Sequence, residues 1–173
     1  LWAMPLLSSL RRSLVALKDR VDGHLHPRRR EAARRRLHAR KVRSVLFICL
    51  GNVCRSPFGE QVLRSRAGHT VTVRSAGFIG PDRRPPEMAL QVADAFGVSH
   101  SDHRSQVVTG EMVASADAVF FFDRHNHARL KAHPGVRRDR LFWLGDFDPQ
   151  WPGRRAIVDP WGRSEEEFRR VFE

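Results

Sequence analysis

A short apolar run that stops abruptly at a loop is the feature that most constrains this chain. The run VLFI at residues 45–48 is β-rich and uninterrupted, which is typical of a strand buried on both faces of a parallel sheet. Gly51 and Asn52 break the pattern directly afterwards, and Pro57 suits the first turn of a helix. This order predicts a buried strand, a tight loop and the N-terminus of a helix.

The same alternation of strand and helix patterns continues along the chain. Three more segments are predicted as buried strands, at residues 71–73, 118–122 and 141–144. A helix pattern at residues 88–96 ends at Gly97, and Ser164 with the three glutamates after it is typical of a helix start. The alternation predicts an α/β fold with a parallel sheet, in which ligands bind beyond the carboxyl ends of the strands. The loop that begins at Cys49 follows such an end.

The positive charge of the chain is concentrated near its N-terminus. The formal net charge is +12, yet residues 1–43 hold 13 Lys and Arg against 3 Asp and Glu, whereas residues 44–173 hold 18 against 16. We therefore predict a basic arm over residues 1–43 and a nearly neutral globular domain over residues 44–173.

The arm is predicted to be helical. One helix face is formed by Leu6, Leu10, Leu14 and Leu17. Residues 28–41 are rich in Arg and Ala without a regular apolar stripe, so we expect little packing there. The arginine clusters at residues 28–30 and 34–36 suit phosphate contacts, which leaves two interpretations. The arm contacts an anionic membrane or nucleic acid, or it is a solvated or partner-docked charged helix.

Cysteine and histidine usage limits the other possibilities. Two cysteines form no disulfide framework, and their spacing lacks the paired C-x2-C pattern of a structural zinc site. The His-x-His pairs at 24/26 and 125/127 are expected at the surface, because residues two apart diverge on a helix. No apolar run approaches the ~20 residues of a spanning helix, and Arg11 and Arg12 follow the apolar start, unlike in a secretory signal. A reducing, cytoplasmic setting is predicted.

The loop from Cys49 to Arg55 has the composition of an anion site. If it curls, successive backbone N–H groups converge on one point, and the following helix N-terminus adds positive potential. Gly51 allows unusual φ, and Asn52 tolerates the left-handed region. Arg55 supplies a planar fork for two phosphate oxygens. A lone Cys after a strand is usually an inert core residue, but these neighbours favour Cys49 as a thiolate nucleophile.

Attack by Cys49 on phosphorus forms a phosphocysteine, which water must then hydrolyse. Ser56 is placed to stabilise the thiolate through its hydroxyl group. The leaving group needs a proton, and Asp159 is the best candidate, because Pro160 keeps it in extended backbone outside a helix. Trp161 could stack beside an aromatic substrate. On spacing alone, a plain Asp-Pro turn is the simpler interpretation.

Residues 45–57 closely resemble the phosphate loop of the low-molecular-weight protein tyrosine phosphatases. The pattern Cys-x5-Arg-Ser-Pro directly after a strand carries the resemblance, which extends to the C-terminus. The resemblance implies a flavodoxin-like fold with a four-stranded parallel sheet, hydrolysis of phosphotyrosine, and no metal or cofactor. The implied partner is a phosphotyrosine protein, in some members a cognate tyrosine kinase.

The resemblance also implies roles for other residues. Ser75, in the triplet at 75–77, would hydrogen-bond Asn52, and His103 would brace the same asparagine. Asp159 becomes the general acid, and Asp123 has a supporting role. The residues implied to bind phosphate or substrate are Leu50, Gly51, Asn52, Val53, Cys54, Ser56 and Trp161.

Departures from the family pattern leave some points open. Trp161 stands where many members carry Tyr, and Phe78 or Ile79 replaces an aromatic residue of the substrate wall. The resemblance suggests a reversible Cys49–Cys54 disulfide that protects the nucleophile, whereas a buried thiol that packs the loop is the simpler interpretation of Cys54.

Three alternative functions share part of these sequence features. A thioredoxin-coupled arsenate reductase shares the loop but needs relay cysteines downstream, and no cysteine follows Cys54. A phosphoarginine phosphatase resembles the loop but carries Thr where this chain has Val53, which favours an aryl phosphate. The third alternative is a non-enzymatic anion-binding module that uses the basic arm.

Overall fold

Four parallel strands form the centre of the computed structural model, which describes residues 21, 23–148 and 155–173. They are β1 (Ser44–Ile48), β2 (Thr72–Ala76), β3 (Ala118–Phe121) and β4 (Leu141–Trp143), in the order β2-β1-β3-β4. All four predicted strands are present, and the predicted α/β fold with a four-stranded parallel sheet is confirmed. The second strand runs further than predicted, because Ser75 and Ala76 pair with β1.

Helices precede and connect the strands. The helical segment at residues 23–38 is called α1, and the helices that follow it are α2 (Arg55–Ala67), α3 (Glu87–Ala95), α4 (Gly110–Ser115), α5 (Arg124–Lys131) and α6 (Glu165–Phe172). The predicted start of α6 is confirmed by a capping box between Ser164 and Glu167. Helices α4 and α5 were not predicted; the side chains of Thr109 and Asp123 cap their N-termini.

The two faces of the sheet are covered by different helices. One face, with Ile48 and Phe121, packs against Val113 of α4 and Leu130 of α5. The opposite face packs against α1 and α2 through the side chains of Val45, Phe47, Phe120, Phe142, Ala33 and Leu63. A third apolar cluster joins α2, α3 and α6. The result is a three-layer arrangement with the sheet in the middle.

Helix α1 packs against the domain, which corrects two expectations about the arm. Ala33 is buried and Leu37 packs beside it, although residues 28–41 show no apolar stripe. His26, expected at the surface, is 6% exposed and donates from Nε2 to the carbonyl of Gly145 at 3.1 Å, because α1 turns it toward the loop after β4. His24 is exposed, as expected. The predicted helix face formed by Leu6, Leu10, Leu14 and Leu17 lies outside the described residues.

The register of the sheet determines which loops meet. Ile48, the last residue of β1, is opposite Ala76 of β2 and Phe121 of β3. The loop that starts at Cys49 is therefore flanked by the segments that follow β2 and β3. This is the point at which the chain order of the strands reverses, where ligands bind in open parallel sheets.

Candidate active site

The loop after β1 is held with its carbonyl groups pointing outward. The carbonyl of Leu50 accepts the N–H of Phe78 at 2.8 Å, and the carbonyl of Gly51 accepts Nη2 of Arg83 at 2.6 Å. Since the C=O and the N–H of one trans peptide group point in opposite directions, each outward carbonyl turns the amide of the next residue inward. In the described part of the chain, the N–H groups of Gly51 and Val53 donate to no acceptor. The loop thus forms a concave ring of donors suited to an anion.

Asn52 is the centre of the network that shapes the loop. Its φ is 52°, in the predicted left-handed region. Its Nδ2 donates to Oγ of Ser75 at 2.8 Å and to Oγ of Ser56 at 2.9 Å, while its Oδ1 accepts the N–H of Gln106 at 2.9 Å. His103 donates from Nε2 to the carbonyl of Asn52 at 2.8 Å. Both implied contacts, with Ser75 and with His103, are present.

Ser75 connects this network to helix α2. Its hydroxyl donates to the buried carboxylate of Glu60, which forms an ion pair with Arg64 at 2.7 Å. The carbonyl of Ser75 accepts Nε2 of Gln106 at 2.8 Å. Sequence reasoning assigned no role to Glu60 or Gln106. The available signal for Gln106 was its position three residues after His103, whereas nothing local distinguishes Glu60 on its helix.

Two glycines near the loop are required for space. A Cβ on Gly77 would lie 2.8 Å from the backbone N of Asn52 and 2.8 Å from the carbonyl oxygen of Leu50. A Cβ on Gly51 would lie 3.0 Å from Nη2 of Arg83. Gly51 does not use the unusual φ that glycine allows, since its φ is not among the positive values. Gly51 instead leaves room for the arginine that binds its own carbonyl.

Cys49 is buried at the mouth of this ring of donors. It is 3% exposed, and its Sγ lies 3.2 Å from the N–H of Asn52 and 3.1 Å from Oγ of Ser56. Because Ser56 already accepts a bond from Asn52, its own proton is free to go to Sγ or to the carbonyl of Ala76 at 3.4 Å. An amide and a hydroxyl can therefore both stabilise a thiolate at Cys49.

Arg55 is enclosed by groups from two other segments of the chain. Its side chain is 1% exposed and packs over the ring of Phe122 at 5.4 Å. Nη1 bonds Oδ2 of Asp123 at 2.7 Å and the carbonyl of Ile157 at 3.0 Å. Nη2 bonds Oδ2 of Asp159 at 2.7 Å. The structure thus brings together the three predicted residues Arg55, Asp123 and Asp159.

Neighbouring groups favour the charged form of Arg55. Burial opposes the charged form, but Cys49, Asp159 and Asp123 outweigh it and raise the pKa of Arg55. Its Nε is buried and has no hydrogen-bond partner among the described residues. A buried donor without a partner is costly, so this atom favours an anion beside the loop.

The segment that carries Asp159 is anchored beside the end of β3. The N–H of Ile157 donates to the carbonyl of Phe122 at 2.7 Å. The side chain of Asp159 remains 38% exposed, and its Oδ1 accepts the N–H of Trp161 at 3.3 Å. Trp161, two residues after Asp159, is 58% exposed.

Val53 and Cys54 turn their side chains away from solvent. Both are buried in the cluster shared by α2, α3 and α6, which leaves their backbone amides as the groups that can face a phosphate. Both cysteines are free. Burial, followed by the charges of Cys49 and Asp159, raises the pKa of Cys54, so this residue stays a thiol.

The comparisons with known proteins agree with this geometry. The family model "Low molecular weight phosphotyrosine protein phosphatase" matches residues 44–173. The chain belongs to this family. The family predicted from the sequence is confirmed, and with it the prediction of a protein-tyrosine phosphatase at the level of the family.

Relatives and solved structures of this phosphatase family cover most of the chain. Low molecular weight protein-tyrosine phosphatase A of Mycobacterium tuberculosis is 40% identical over 139 residues, which are 74% of this chain and 82% of the relative. The structure of the tyrosine phosphatase AmsI of Erwinia amylovora superposes with a TM-score of 0.69 at 28% identity, covering 76% and 85% of the two chains. The YwlE arginine phosphatase of Geobacillus stearothermophilus gives 0.64 at 29% identity, covering 75% and 82%. Overall shape therefore does not separate the tyrosine from the arginine enzymes.

Two further observations concern the described residues alone. No helix among them is long and apolar enough to cross a bilayer. No group of three or more His, Cys, Asp or Glu side chains in that part of the chain has an arrangement that could hold a metal ion.

Proposed function

We propose that this chain hydrolyses phosphotyrosine in proteins through a phosphocysteine formed on Cys49. The observation that carries the proposal is the set of outward-bonded carbonyls at Leu50, Gly51 and Asn52, which turns the loop amides toward one point beside Sγ of Cys49. A phosphate bound there presents its phosphorus to the sulfur. Arg55 binds two of its oxygens in place of the contacts that it makes with carboxylates.

The first chemical step transfers the phosphoryl group to sulfur. The electron pair of the Cys49 thiolate forms the S–P bond as the P–O bond to the tyrosine breaks, and protonated Asp159 gives its proton to the leaving oxygen. In the second step, Asp159 as a carboxylate takes a proton from water while the water oxygen attacks phosphorus. The S–P bond breaks, inorganic phosphate leaves, and the thiolate returns to the hydrogen bonds of Ser56 and Asn52.

Preference for an aryl phosphate is supported by the rim of the site. The exposed ring of Trp161 is placed to stack on a tyrosine ring, and Ile79 is 41% exposed on the segment after β2. Phe78, the other candidate for the substrate wall, is only partly exposed and packs against the core. The side chain of Val53 is buried, so its influence on the choice of substrate acts through packing.

The proposed partner is a phosphotyrosine protein, and a cognate tyrosine kinase belongs to that class. The predicted cytoplasmic setting and the predicted contact of residues 1–43 with an anionic membrane or nucleic acid are retained as hypotheses. Loss of binding to anionic vesicles or DNA on deletion of residues 1–43 is the expected result for the arm. The absence of such binding by the intact chain at moderate salt contradicts that hypothesis.

The function is tested by comparing phosphotyrosine, phosphoserine and phosphoarginine peptides of otherwise identical sequence. We expect release of phosphate chiefly from the phosphotyrosine peptide. Acid quenching during turnover should give a phosphoryl adduct on the peptide that contains Cys49, and Cys49→Ser should abolish both turnover and adduct. Full activity of Cys49→Ser would contradict the mechanism. Preferential release of phosphate from the phosphoarginine peptide would show that phosphoarginine, not phosphotyrosine, is the substrate.

A further inference from the structure

A second concave site lies at the β4 edge of the sheet. It is a cavity of about 200 Å³ with an apolar floor formed by Phe121 and Leu141 and a wall formed by Trp143. Phe121 and Leu141 are buried, and Trp143 is half-buried. No residue of the proposed catalytic machinery lines this cavity, so its occupant is independent of the chemistry at Cys49.

Four cationic side chains from four segments line the same cavity. Arg36 comes from α1, Lys131 from the end of α5, Arg138 from the 3-10 turn before β4, and Arg155 from the segment that leads to Asp159. The fold of the domain brings the last three together, and the docking of α1 against the sheet adds Arg36. Arg36 lies outside residues 44–173, which the family model matches, so the family pattern does not include the complete cluster.

Three of these charges have no carboxylate partner in the described part of the chain. Of the four, only Arg155 forms an ion pair, with Asp146. Arg36 donates from Nη2 to two backbone carbonyls, of Asp139 at 2.9 Å and of Leu141 at 3.0 Å, which orient the guanidinium without neutralising it. Lys131 and Arg138 are exposed at the rim.

Nearby carboxylates are already paired, one with arginines outside the cavity and one with Arg155. Asp139, next to Arg138 in sequence, pairs with Arg137 at 3.4 Å and with Arg40 at 3.7 Å. Asp146 is only 4% exposed and is bound by Arg155. The fold therefore concentrates uncompensated positive charge at one concave place, where an anion lowers the mutual repulsion of the cations.

The wall of the cavity also offers a neutral donor. The ring of His127 stacks on Phe121 with centroids 5.0 Å apart, and the ring of Trp143 lies 5.4 Å from it. Partial burial first, and then the positive charges of Lys131, Arg155 and Arg138, lower the pKa of His127. The imidazole is therefore neutral at physiological pH and retains one N–H for a hydrogen bond.

We propose that this cavity binds a compact, multiply charged phosphate-type anion, such as pyrophosphate or a free phosphomonoester, at a site separate from the loop at Cys49. Guanidinium groups match the oxygens of such anions in a bidentate manner, and the ammonium of Lys131 adds a mobile charge. The volume corresponds to about six or seven water molecules at about 30 Å³ each, which is enough for an anion of that size. Chloride lacks the extended oxygen array that the separate donors require.

The test is a pyrophosphate titration of the full chain followed by amide and indole NMR signals. The Cys49→Ser background removes any turnover of the probe. The indole N–H of Trp143 reports on the cavity, while the amides of Gly51 and Val53 report on the phosphate loop. The two sites are thus read separately in one experiment.

Variants at the rim distinguish a specific binding site from general electrostatic attraction of the anion to the protein. Lys131→Gln combined with Arg138→Gln should raise the midpoint of the Trp143 shift at least tenfold and leave the loop midpoint unchanged. The matched control is Arg66→Gln combined with Arg74→Gln, which removes two exposed charges from α2 and from β2 at the opposite sheet edge. This control should stay within about twofold of the parent, and thermal unfolding should show that both variants fold.

Each result decides for or against the site. A saturable Trp143 shift that only the rim variant weakens supports the proposal. No shift at Trp143, equal weakening in both double variants, or an equal shift with sodium chloride at matched ionic strength overturns it. A loop response in any of those cases leaves the proposed phosphatase function intact.

Discussion

Nη2 of Arg55 lies 2.7 Å from Oδ2 of Asp159, so the group proposed to hold the phosphate is bonded to the group proposed to deliver the proton. The ion pair keeps the Asp159 segment at the mouth of the loop. When a phosphate binds, Arg55 has to exchange this ion pair for contacts with phosphate oxygens. Phosphate binding and release of the carboxylate for proton transfer are therefore coupled through Arg55.

Asp159→Asn should lower kcat in proportion to the basicity of the leaving group. General acid catalysis contributes about 10²- to 10⁴-fold, so we expect roughly a hundredfold loss with phenyl phosphate. The loss should be smaller with p-nitrophenyl phosphate, whose leaving phenolate needs less protonation. Steady-state kinetics on both esters measure the difference. The exposed carboxylate of α6 provides the control variant Glu166→Gln, and an equal loss on both esters would contradict the assignment.

Arg83→Met should weaken phosphate binding by freeing the carbonyl of Gly51. A hydrogen bond from a charged donor contributes about 1.5 kcal/mol or more, so the inhibition constant of inorganic phosphate should rise about tenfold. Its neighbour Arg84 is exposed, and Arg84→Met is the matched control. If phosphate inhibits Arg83→Met and Arg84→Met equally, Arg83 is not a positioning residue.

Gly77→Ala should disturb the loop without touching a reacting atom. The added Cβ would meet backbone atoms of Asn52 and Leu50 at 2.8 Å, and overpacking of this kind costs about 1–3 kcal/mol of the free energy of unfolding. Activity should fall at least tenfold, together with the denaturation midpoint. In the control Gly110→Ala the new Cβ is 3.5 Å from its nearest neighbour, so activity should persist. Normal turnover by Gly77→Ala would show that the loop tolerates the added methyl group.

The disulfide between Cys49 and Cys54 that the family resemblance suggests should form slowly at neutral pH. Burial raises the pKa of Cys54, and a thiol must lose its proton before it attacks an oxidised sulfur. We expect peroxide inactivation to be reversible with dithiothreitol, with recovery improving when oxidation takes place at higher pH. Equal recovery by Cys54→Ser after the same treatment argues against a protective disulfide.

The stability of the fold should fall as the pH drops from about 6.5 to about 4 because of His100. This residue is 3% exposed, and burial, followed by the charge of His103, lowers its pKa to about 4. In the unfolded chain the imidazole has a pKa of about 6.5, so on acidification the unfolded state is protonated before the folded state. Above about pH 6.5 both states are neutral at this residue, and its contribution to stability is constant. The difference corresponds to roughly 3 kcal/mol at the acid end of the window.

Chemical denaturation at a series of pH values measures this contribution. His100→Leu should flatten the pH dependence of the free energy of unfolding across the window. The exposed His24 provides the control, since His24→Gln should keep the dependence of the parent. An unchanged slope in His100→Leu would assign the acid sensitivity to other groups.

Local sequence patterns were sufficient to predict features that depend on interactions between residues close in the sequence. The run at residues 45–48 is a strand because a continuous apolar segment fits only the doubly covered middle of the sheet. Asn52 adopts the left-handed conformation that its residue type tolerates. The unpredicted helix α5 is largely polar, and its clearest signal was the capping side chain of Asp123, which accepts the N–H of Asn126 at 2.8 Å.

Features that depend on distant contacts could not be predicted in the same way. Arg83 reaches the carbonyl of Gly51 across 32 residues, and nothing in its own neighbourhood distinguishes it from Arg84. The packing of α1 relies on Ala33 and His26, which do not form an apolar stripe in the sequence. Such contacts become visible only when the sheet has brought the segments together.

The bond from Arg36 to the carbonyl of Leu141 has a consequence for how copies of this protein behave at high concentration. Strand β4 is an outer strand of the sheet, and the free backbone groups of such a strand can pair with a strand of another chain. A bulky, charged side chain on one of those carbonyls blocks that pairing sterically and electrostatically. Helix α1 thus covers one point of this strand edge against pairing with another chain, and this effect does not depend on any anionic partner.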